Sequence, residues 1–148
     1  MADKKVLIVD YDSRSVEAVT RLLQPYGVRA ETAADGLTAW EKYALERPDL
    51  VVLEPILPKL HGFDLTKRIV QDSQGAVPVI IVTGLYRGPQ YRHEALTSFG
   101  AAEYFEKPLD EPRFLACALE LLKERVDIRL EMPTAEAVVD FLRKRLGD

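Results

Sequence analysis

The chain has 148 residues, of which 47% are hydrophobic and 30% charged, and its formal net charge is −4. This composition is typical of an ordinary globular protein and excludes the disordered and membrane-spanning classes. The acidic balance also argues against a direct nucleic-acid partner, because such binding depends on many lysine and arginine contacts to phosphate.

The amino terminus, MADKKVLIVD, carries two lysines but only a short apolar run before Asp10. That run is too short for the core of a signal peptide or for a spanning helix. The single cysteine, Cys117, cannot form an internal disulfide, and its apolar surroundings, FLACALELL, predict a buried and inert thiol. These features predict a cytoplasmic protein with no membrane partner.

The first half of the chain alternates apolar strands with amphipathic helices. The strand KVLIV ends at Asp10, and a helix with apolar residues at helical spacing follows from Ser13 until Pro25 and Gly27 stop it. The short strand VRAETA then leads to Asp35, a candidate helix N-cap. The side chains expected to face inward from the next helix, GLTAWEKYALE, are Leu37, Trp40 and either Tyr43 or Ala44.

The second half repeats this alternation three times. The strand LVVL is followed by a loop and a helix from Gly62 to about Asp72. The next strand, VPVIIVT, is the most apolar and is predicted to be central. A loop, the helix YRHEALTSF, the strand AEYF and a long helix from Asp110 complete the series. Five strand–helix alternations predict a parallel sheet covered by helices on both faces.

Polar side chains stand where these strands end. Functional groups of parallel sheets collect at the carboxyl ends of the strands, so these side chains are predicted to converge on one edge. They are Asp10 and Asp12 after the first strand, Glu54 after the third, Thr83 after the fourth and Lys107 after the fifth. His61 and His93, by contrast, lack a second ligand at metal-binding spacing and are expected to be exposed.

Five segments in this order, VLIVD, ADG, RPDLVVLEPILPKLHGFDL, VPVIIVTG and GAAEYFEKPL, resemble the receiver domain of bacterial two-component response regulators over about residues 4–123. The resemblance implies a flavodoxin-like, doubly wound sheet with strand order 2-1-3-4-5. It further implies two helices on one face of the sheet and three on the other. A role in signalling by binding follows, rather than one as an enzyme.

The resemblance also implies a phosphorylation pocket. In that family, an aspartate after the third strand accepts a phosphoryl group from a histidine kinase. Mg²⁺ is held by that aspartate, by an acid after the first strand and by a backbone carbonyl. Here Glu54 occupies the phosphoacceptor position and Ile56 would supply the carbonyl. The expected pair of acids after the first strand is replaced by Asp10 and Tyr11, followed by Asp12.

Three further positions match the family. Thr83 corresponds to the hydroxyl that contacts the phosphoryl group, and Tyr104 corresponds to the aromatic ring that turns inward on activation. Lys107 corresponds to the pocket cation, and Pro108 after it predicts a cis peptide bond.

Two departures affect the same chemistry. The extra methylene of Glu54 moves its carboxylate more than ~1 Å into the space that a phosphoryl group would occupy. Tyr11 offers a neutral phenol where the family has an anionic ligand, and the loss of that ligand should weaken Mg²⁺ binding severely. We therefore predict a phosphorylation-independent interaction domain without a cofactor, or at most with weak Mg²⁺ binding by Asp10, Glu54 and the Ile56 carbonyl. The alternative is a functional Mg²⁺-dependent phospho-receiver.

Glu54 needs a cation nearby, since clustered carboxylates repel one another. We hypothesise that it forms an ion pair with Lys107, with the Thr83 hydroxyl and the Tyr11 phenol as candidate hydrogen-bond donors. Such a pair would fix the pocket in one state without a metal. The sequence leaves open whether that state is active-like or inactive-like.

The segment GLYRGPQYRHEA is slightly longer than is usual in the family. It concentrates tyrosine and arginine, the residues that most often anchor interfaces, at Tyr86, Arg87, Tyr91 and Arg92. By the resemblance, it lies beside the fourth helix, fifth strand and fifth helix, a face that the family uses for dimers and output partners. We predict a protein partner on this face, a homodimer being one form, with a merely solvated loop as the alternative.

Residues 1–125 are predicted to form the receiver-like domain, and residues 126–148 an extension. The fifth helix is expected to continue through ELLKERVDIRLE until Pro133. TAEAVVDFLRKRLGD then predicts an extra C-terminal amphipathic helix with Thr134 as N-cap. Because so short a helix is marginal alone, its apolar stripe would dock on its own domain, pair with a second copy or begin a linker to an output domain.

Overall fold

A computed structural model describes residues 3–130 of the chain. Strands and helices alternate along it as β1 (Lys5–Val9), α1 (Ser13–Leu23), β2 (Arg29–Ala33), α2 (Gly36–Glu46), β3 (Leu50–Leu53), α3 (Gly62–Ser73), β4 (Val79–Thr83), α4 (Pro89–Thr97), β5 (Glu103–Glu106) and α5 (Glu111–Leu130). The extra helix predicted after Pro133 lies outside the described residues.

The five strands form one parallel sheet in the order β2-β1-β3-β4-β5, which confirms the predicted fold. The apolar strand β4 is interior as predicted, although β3 occupies the middle position. The strand β2 lies on one side of β1, whereas β3, β4 and β5 lie on the other side. The chain therefore changes direction across the sheet, and the reversal falls between β1 and β3. Ligand sites of such sheets form at this reversal, at the carboxyl ends of the strands.

Alternate side chains of each strand enter two separate cores, as the period of a strand requires. Leu7 and Val9 face a core shared with α2, α3 and α4, whereas Val6 and Ile8 face a core shared with α1 and α5. Three helices therefore cover one face and two cover the other. Among residues 3–130, no helix combines the length and apolar character needed to cross a membrane.

Two aspartates are the N-cap residues of helices. Asp35 precedes α2, and its Oδ1 accepts a hydrogen bond of 2.7 Å from the backbone N–H of Thr38, which confirms the predicted N-cap. Asp12 caps α1 in the same manner, through a 3.0 Å bond from the N–H of Arg14. Both carboxylates also favour the positive end of the helix dipole.

The buried face of α2 includes Tyr43 and, in part, Trp40 as predicted, but differs from the prediction at Leu37. Leu37 is 45% exposed and Ala44 is also exposed, whereas Ala39 and Tyr43 are buried. The helix begins with Gly36 pressed against the backbone of Leu60, since an added Cβ at Gly36 would lie 1.9 Å from the Leu60 carbonyl oxygen. That contact directs the stripe of Gly36, Ala39 and Tyr43 inward, and it turns Leu37 to solvent.

Candidate functional site

Three buried polar residues meet at the carboxyl edge of the sheet, together with one lysine. Asp10 is 6% exposed, Glu54 4% and Thr83 0%. Lys107 follows β5, and its Nζ lies 2.9 Å from Asp10 Oδ2 and 3.3 Å from Glu54 Oε2. The predicted Glu54–Lys107 ion pair is therefore present, but Lys107 is shared with Asp10, which holds it more closely.

The ammonium group of Lys107 is held by its partners in the charged form. Burial alone would lower its pKa, but the hydrogen bond and charge of Asp10, together with those of Glu54, raise the pKa above its ordinary value. Its Nζ also donates to Ser15 Oγ at 3.3 Å, a contact from α1 that the sequence did not reveal. The lysine thus joins α1 to the ends of β1 and β3.

The carboxylate of Glu54 is fixed by backbone donors. Oε1 accepts a 3.2 Å hydrogen bond from the N–H of Ile56, and Oε2 accepts a 3.4 Å bond from the N–H of Gly84. The candidate donors Thr83 and Tyr11 are not used. The Thr83 hydroxyl instead accepts bonds from the backbone after β4, and Tyr11 is 61% exposed.

Asp12 is turned away from the pocket. Its Oδ1 caps α1, and this hydrogen bond from the Arg14 N–H lowers the pKa of the Asp12 carboxyl. Its own N–H donates to Asp10 Oδ1 at 2.9 Å, so it supports the pocket through its backbone. Of the predicted acidic residues, only Asp10 and Glu54 direct carboxylates into the pocket.

The residues present do not fit the Mg²⁺ site that the resemblance implies. Such a site needs several hard oxygen ligands around one point. Here the Lys107 ammonium occupies the position between Asp10 and Glu54, and the exposed Tyr11 supplies no charge. Within residues 3–130 no group of three or more His, Cys, Asp or Glu side chains could hold a metal ion.

Tyr104 is buried beneath the loop that follows β4. The residue is 4% exposed, and its hydroxyl donates a 2.5 Å hydrogen bond to the backbone carbonyl of Tyr86. Burial, reinforced by the negative charge of Glu106, raises the pKa of the Tyr104 phenol. The Lys107–Pro108 peptide bond is cis, as predicted.

The predicted interface residues are engaged within the chain itself. Arg92 Nη1 lies 2.5 Å from Glu103 Oε1, and Arg87 Nη2 lies 3.7 Å from Glu106 Oε1. Arg87 also donates a short hydrogen bond to the carbonyl of Lys107. Each arginine therefore ties α4 or the loop before it to β5.

An aromatic cluster that was not predicted from the sequence links the loop after β3 to α4. His61 packs on Phe63 and Tyr86, with ring centroids 5.1 and 5.8 Å apart. Tyr86 packs in turn on Tyr91, and Phe63 stacks on Phe99 at 4.9 Å. These contacts join segments far apart in the chain, and no local pattern in a single sequence indicates them.

His61 is more than an exposed loop residue, contrary to the prediction. Its Nδ1 accepts a 3.1 Å hydrogen bond from the N–H of Phe63 and so caps α3, while Nε2 lies 3.2 Å from the Tyr86 hydroxyl. We expect His61→Ala to lower the free energy of unfolding by about 1–2 kcal/mol through loss of the cap and of the side-chain contact. Urea denaturation at pH 7.5 measures this difference.

His93→Ala is the matched control, because His93 lies exposed on α4. We expect its effect to remain within about 0.5 kcal/mol. Equal effects of the two substitutions would show that the His61 cap contributes nothing.

Comparisons with known proteins place these observations in a family. The family description "response regulator receiver domain" matches residues 6–119. The chain is 31% identical over 115 residues to Protein PilH of Pseudomonas aeruginosa, covering 75% of this chain and 91% of that protein. It is 30% identical over 126 residues to the alkaline phosphatase synthesis transcriptional regulatory protein PhoP of Bacillus subtilis, covering 85% of this chain but 51% of PhoP. The chain thus spans about half the length of PhoP.

Solved structures agree with this similarity. A CheY-like receiver domain protein from Methanospirillum hungatei is 27% identical, with a TM-score of 0.74 over 84% of this chain and 97% of that one. The CheX–CheY–BeF₃–Mg²⁺ complex from Borrelia burgdorferi contains a chain that is 28% identical, with a TM-score of 0.74 over 81% of this chain and 90% of that one.

Proposed function

Because the chain belongs to the response regulator receiver domain family, we propose that it is a receiver that signals through protein contacts without being phosphorylated. The single observation that carries this proposal is the Lys107 ammonium, which is paired at once with Asp10 and with the phosphoacceptor-position residue Glu54. The chain's own lysine thereby compensates one of the two carboxylate charges of the pocket, with no metal required.

The position of Glu54 supports the proposal. Phosphoryl transfer depends almost entirely on positioning and charge neutralisation. Both carboxylate oxygens of Glu54 are held by backbone N–H groups, and one also faces Lys107. A phosphoryl group would have to displace these contacts, and the longer arm of glutamate leaves less room for in-line attack.

The pocket also supports a single fixed state. Glu54 places a permanent negative charge near the site where a phospho-aspartate would carry nearly two. Tyr104 is buried and its hydroxyl is bonded to the loop after β4, which supports an inward position of the kind that the resemblance associates with activation. We infer that the domain is held in an active-like state by its own residues.

We propose that partners bind the face formed by α4, β5 and α5. The CheY chain of the Borrelia burgdorferi structure was solved in a complex with CheX, which supports a protein partner for a domain of this kind. Arg87 and Arg92 would act there by holding α4 against β5, since both are already paired with glutamates of β5. The exposed side chains around them would make the contact.

The test compares the natural chain with the double variant Tyr11→Asp, Glu54→Asp, which restores the two acids of the family. Each protein is incubated with Mg²⁺ and acetyl phosphate, and its intact mass is measured. Mg²⁺ affinity is measured separately by calorimetry. We expect no phosphoryl adduct on the natural chain, and Mg²⁺ binding at least about tenfold tighter for the variant, because a hard anionic ligand is added.

A matched control is the double variant Tyr26→Asp, Glu41→Asp, which makes the same exchanges at two exposed positions outside the pocket. It should behave as the natural chain does. A phosphoryl adduct on the natural chain, or a response to Mg²⁺ equal to that of the pocket variant, would establish the phospho-receiver alternative instead.

A further inference from the structure

A cavity of about 320 Å³ lies beside the charged pocket, on the face of the sheet that carries α1 and α5. Its floor is formed by the ends of β1, β3 and β4, and its sides by α1 and by the segment that leads into α5. The volume lies at the lower end of the range for small-molecule sites. The cavity therefore has room for a compact ligand rather than for a peptide or a nucleotide.

The walls divide the cavity into an apolar part and a charged end. Aliphatic side chains of α1, of the sheet and of the segment before α5, including Val19, Val52, Val82 and Leu109, line the apolar part. The charged end consists of Asp10, Glu54, Lys107 and the hydroxyl of Ser15. An apolar chamber with a few converging polar groups is the usual form of a ligand site, in which the polar groups fix the ligand's orientation.

The net charge at the charged end of the cavity determines the sign of the charge that a ligand can carry there. Asp10 and Glu54 are each more than nine-tenths buried, and they share the single ammonium of Lys107. A fully ionised trio therefore carries one uncompensated negative charge, and Glu111 adds another to the lining. Anions such as carboxylates and phosphates are repelled at such a site, whereas a cation is attracted.

The two carboxylates can still accept hydrogen bonds. An ionised carboxylate offers about four acceptor positions. Asp10 uses one for the N–H of Asp12 and one for Lys107, and Glu54 accepts from Lys107 and from two backbone N–H groups. An incoming ammonium group could therefore be bound without displacing Lys107.

We propose that this cavity binds a small organic monocation, a primary amine on a compact apolar body. The ammonium group lies against Asp10 and Glu54, and the apolar body lies between α1 and the start of α5. This inference does not rest on the absence of phosphorylation, because it requires only the cavity and its charge. It adds a ligand that can stabilise the ends of β1 and β3 and the segment after β5 together.

Three probes of similar size test the proposal: 2-phenylethylamine, 2-phenylethanol and phenylacetate, each titrated in phosphate buffer to avoid buffer amines. We expect the amine to bind about tenfold more tightly than the alcohol, because a charge-assisted hydrogen bond replaces a neutral one. Phenylacetate should bind more weakly than either. Amide ¹H–¹⁵N shifts should concentrate at Ser15, Ala18 and Leu109, which line the cavity.

Two variants separate the cavity from its charge. Ala18→Leu extends a side chain into the cavity from α1 and should reduce amine affinity at least about tenfold, whereas Ala44→Leu on the exposed face of α2 should leave it unchanged. Glu54→Gln should abolish most of the preference for the amine over the alcohol. Equal binding of the three probes, or shifts centred elsewhere in the natural chain, would overturn the proposal whether or not the variants fold.

Discussion

Replacing Lys107 by methionine is expected to lower the free energy of unfolding by about 3 kcal/mol, because it leaves two buried carboxylates facing one another without a cation. The side chains of Asp10 and Glu54 are only 7% and 4% exposed, so water would compensate for the lost ammonium only in part. Methionine keeps most of the length and apolar character of the stem. The expected loss therefore reports on charge rather than on packing.

Urea denaturation at pH 7.5 measures this loss, with Lys67→Met on the exposed face of α3 as the control. The control should change stability by less than about 0.5 kcal/mol. Adding Glu54→Gln to the Lys107→Met variant should recover part of the stability, since one of the unpaired charges is then removed. A Lys107→Met variant as stable as the Lys67→Met control would refute the role of the ion pairs.

The free energies of unfolding of the natural chain and of the Lys107→Met variant are also expected to differ by an amount that depends on pH. The pKa of Lys107 is raised in the folded protein, so its contribution is complete below the unfolded lysine pKa of 10.5 and is lost as pH rises through the higher folded value. The stability difference between the natural chain and Lys107→Met should therefore stay constant from about pH 7 to 9 and shrink in stronger alkali. A difference that grew with pH would have the wrong sign.

Gly36→Ala is the second substitution with a large expected effect. A Cβ at Gly36 would lie 1.9 Å from the carbonyl oxygen of Leu60. The backbone fixes the position of a Cβ, and the oxygen is itself a backbone atom, so neither can turn aside as the end of a flexible side chain can. Glycine and alanine propensities alone would favour alanine in a helix by up to about 1 kcal/mol. We expect the clash to reverse that sign and to cost about 3 kcal/mol or more.

Gly84→Ala is the control for this substitution. There the added Cβ would lie 3.6 Å from the Lys107 side chain, an ordinary contact, and Gly84 has no positive φ. Thermal and urea denaturation should leave Gly84→Ala close to the natural chain while Gly36→Ala melts well below it. If Gly36→Ala were stabilising, the approach of α2 to the loop before α3 would have to be looser than described.

The sequence pattern was sufficient to predict the parallel sheet and the convergence of Asp10, Glu54 and Lys107, whereas the strand order came from the resemblance to the receiver family. The periodicity that identifies a strand is local in the sequence, and the carboxyl ends of all strands in a parallel sheet lie at the same end of the sheet. The pairing of Glu54 with Lys107 was predicted from their opposite charges, because two such groups at the same end of the sheet attract each other even when their exact positions are not known. These features depend on residue type and order, and both are present in the sequence.

What the sequence could not predict depends on contacts between distant segments. The orientation of α2 depends on how closely Gly36 approaches Leu60. The helical pattern alone therefore predicted, wrongly, that Leu37 faces the core. The contact between His61 and Tyr86 depends on the loop that brings the two side chains together. For Asp12, the sequence predicted a carboxylate in the pocket, but that carboxylate caps the N-terminus of α1 instead.

The ion pairs that join the arginines of α4 and its preceding loop to β5 have a kinetic consequence. Arg92 and Arg87 face Glu103 and Glu106 of the same chain, so an approaching protein meets cations that are already neutralised. Long-range attraction would then contribute little to the rate of encounter, which should stay near the ~10⁵–10⁶ M⁻¹s⁻¹ of unsteered association and vary little with salt. Selectivity among partners at this face would rest on how slowly each complex dissociates.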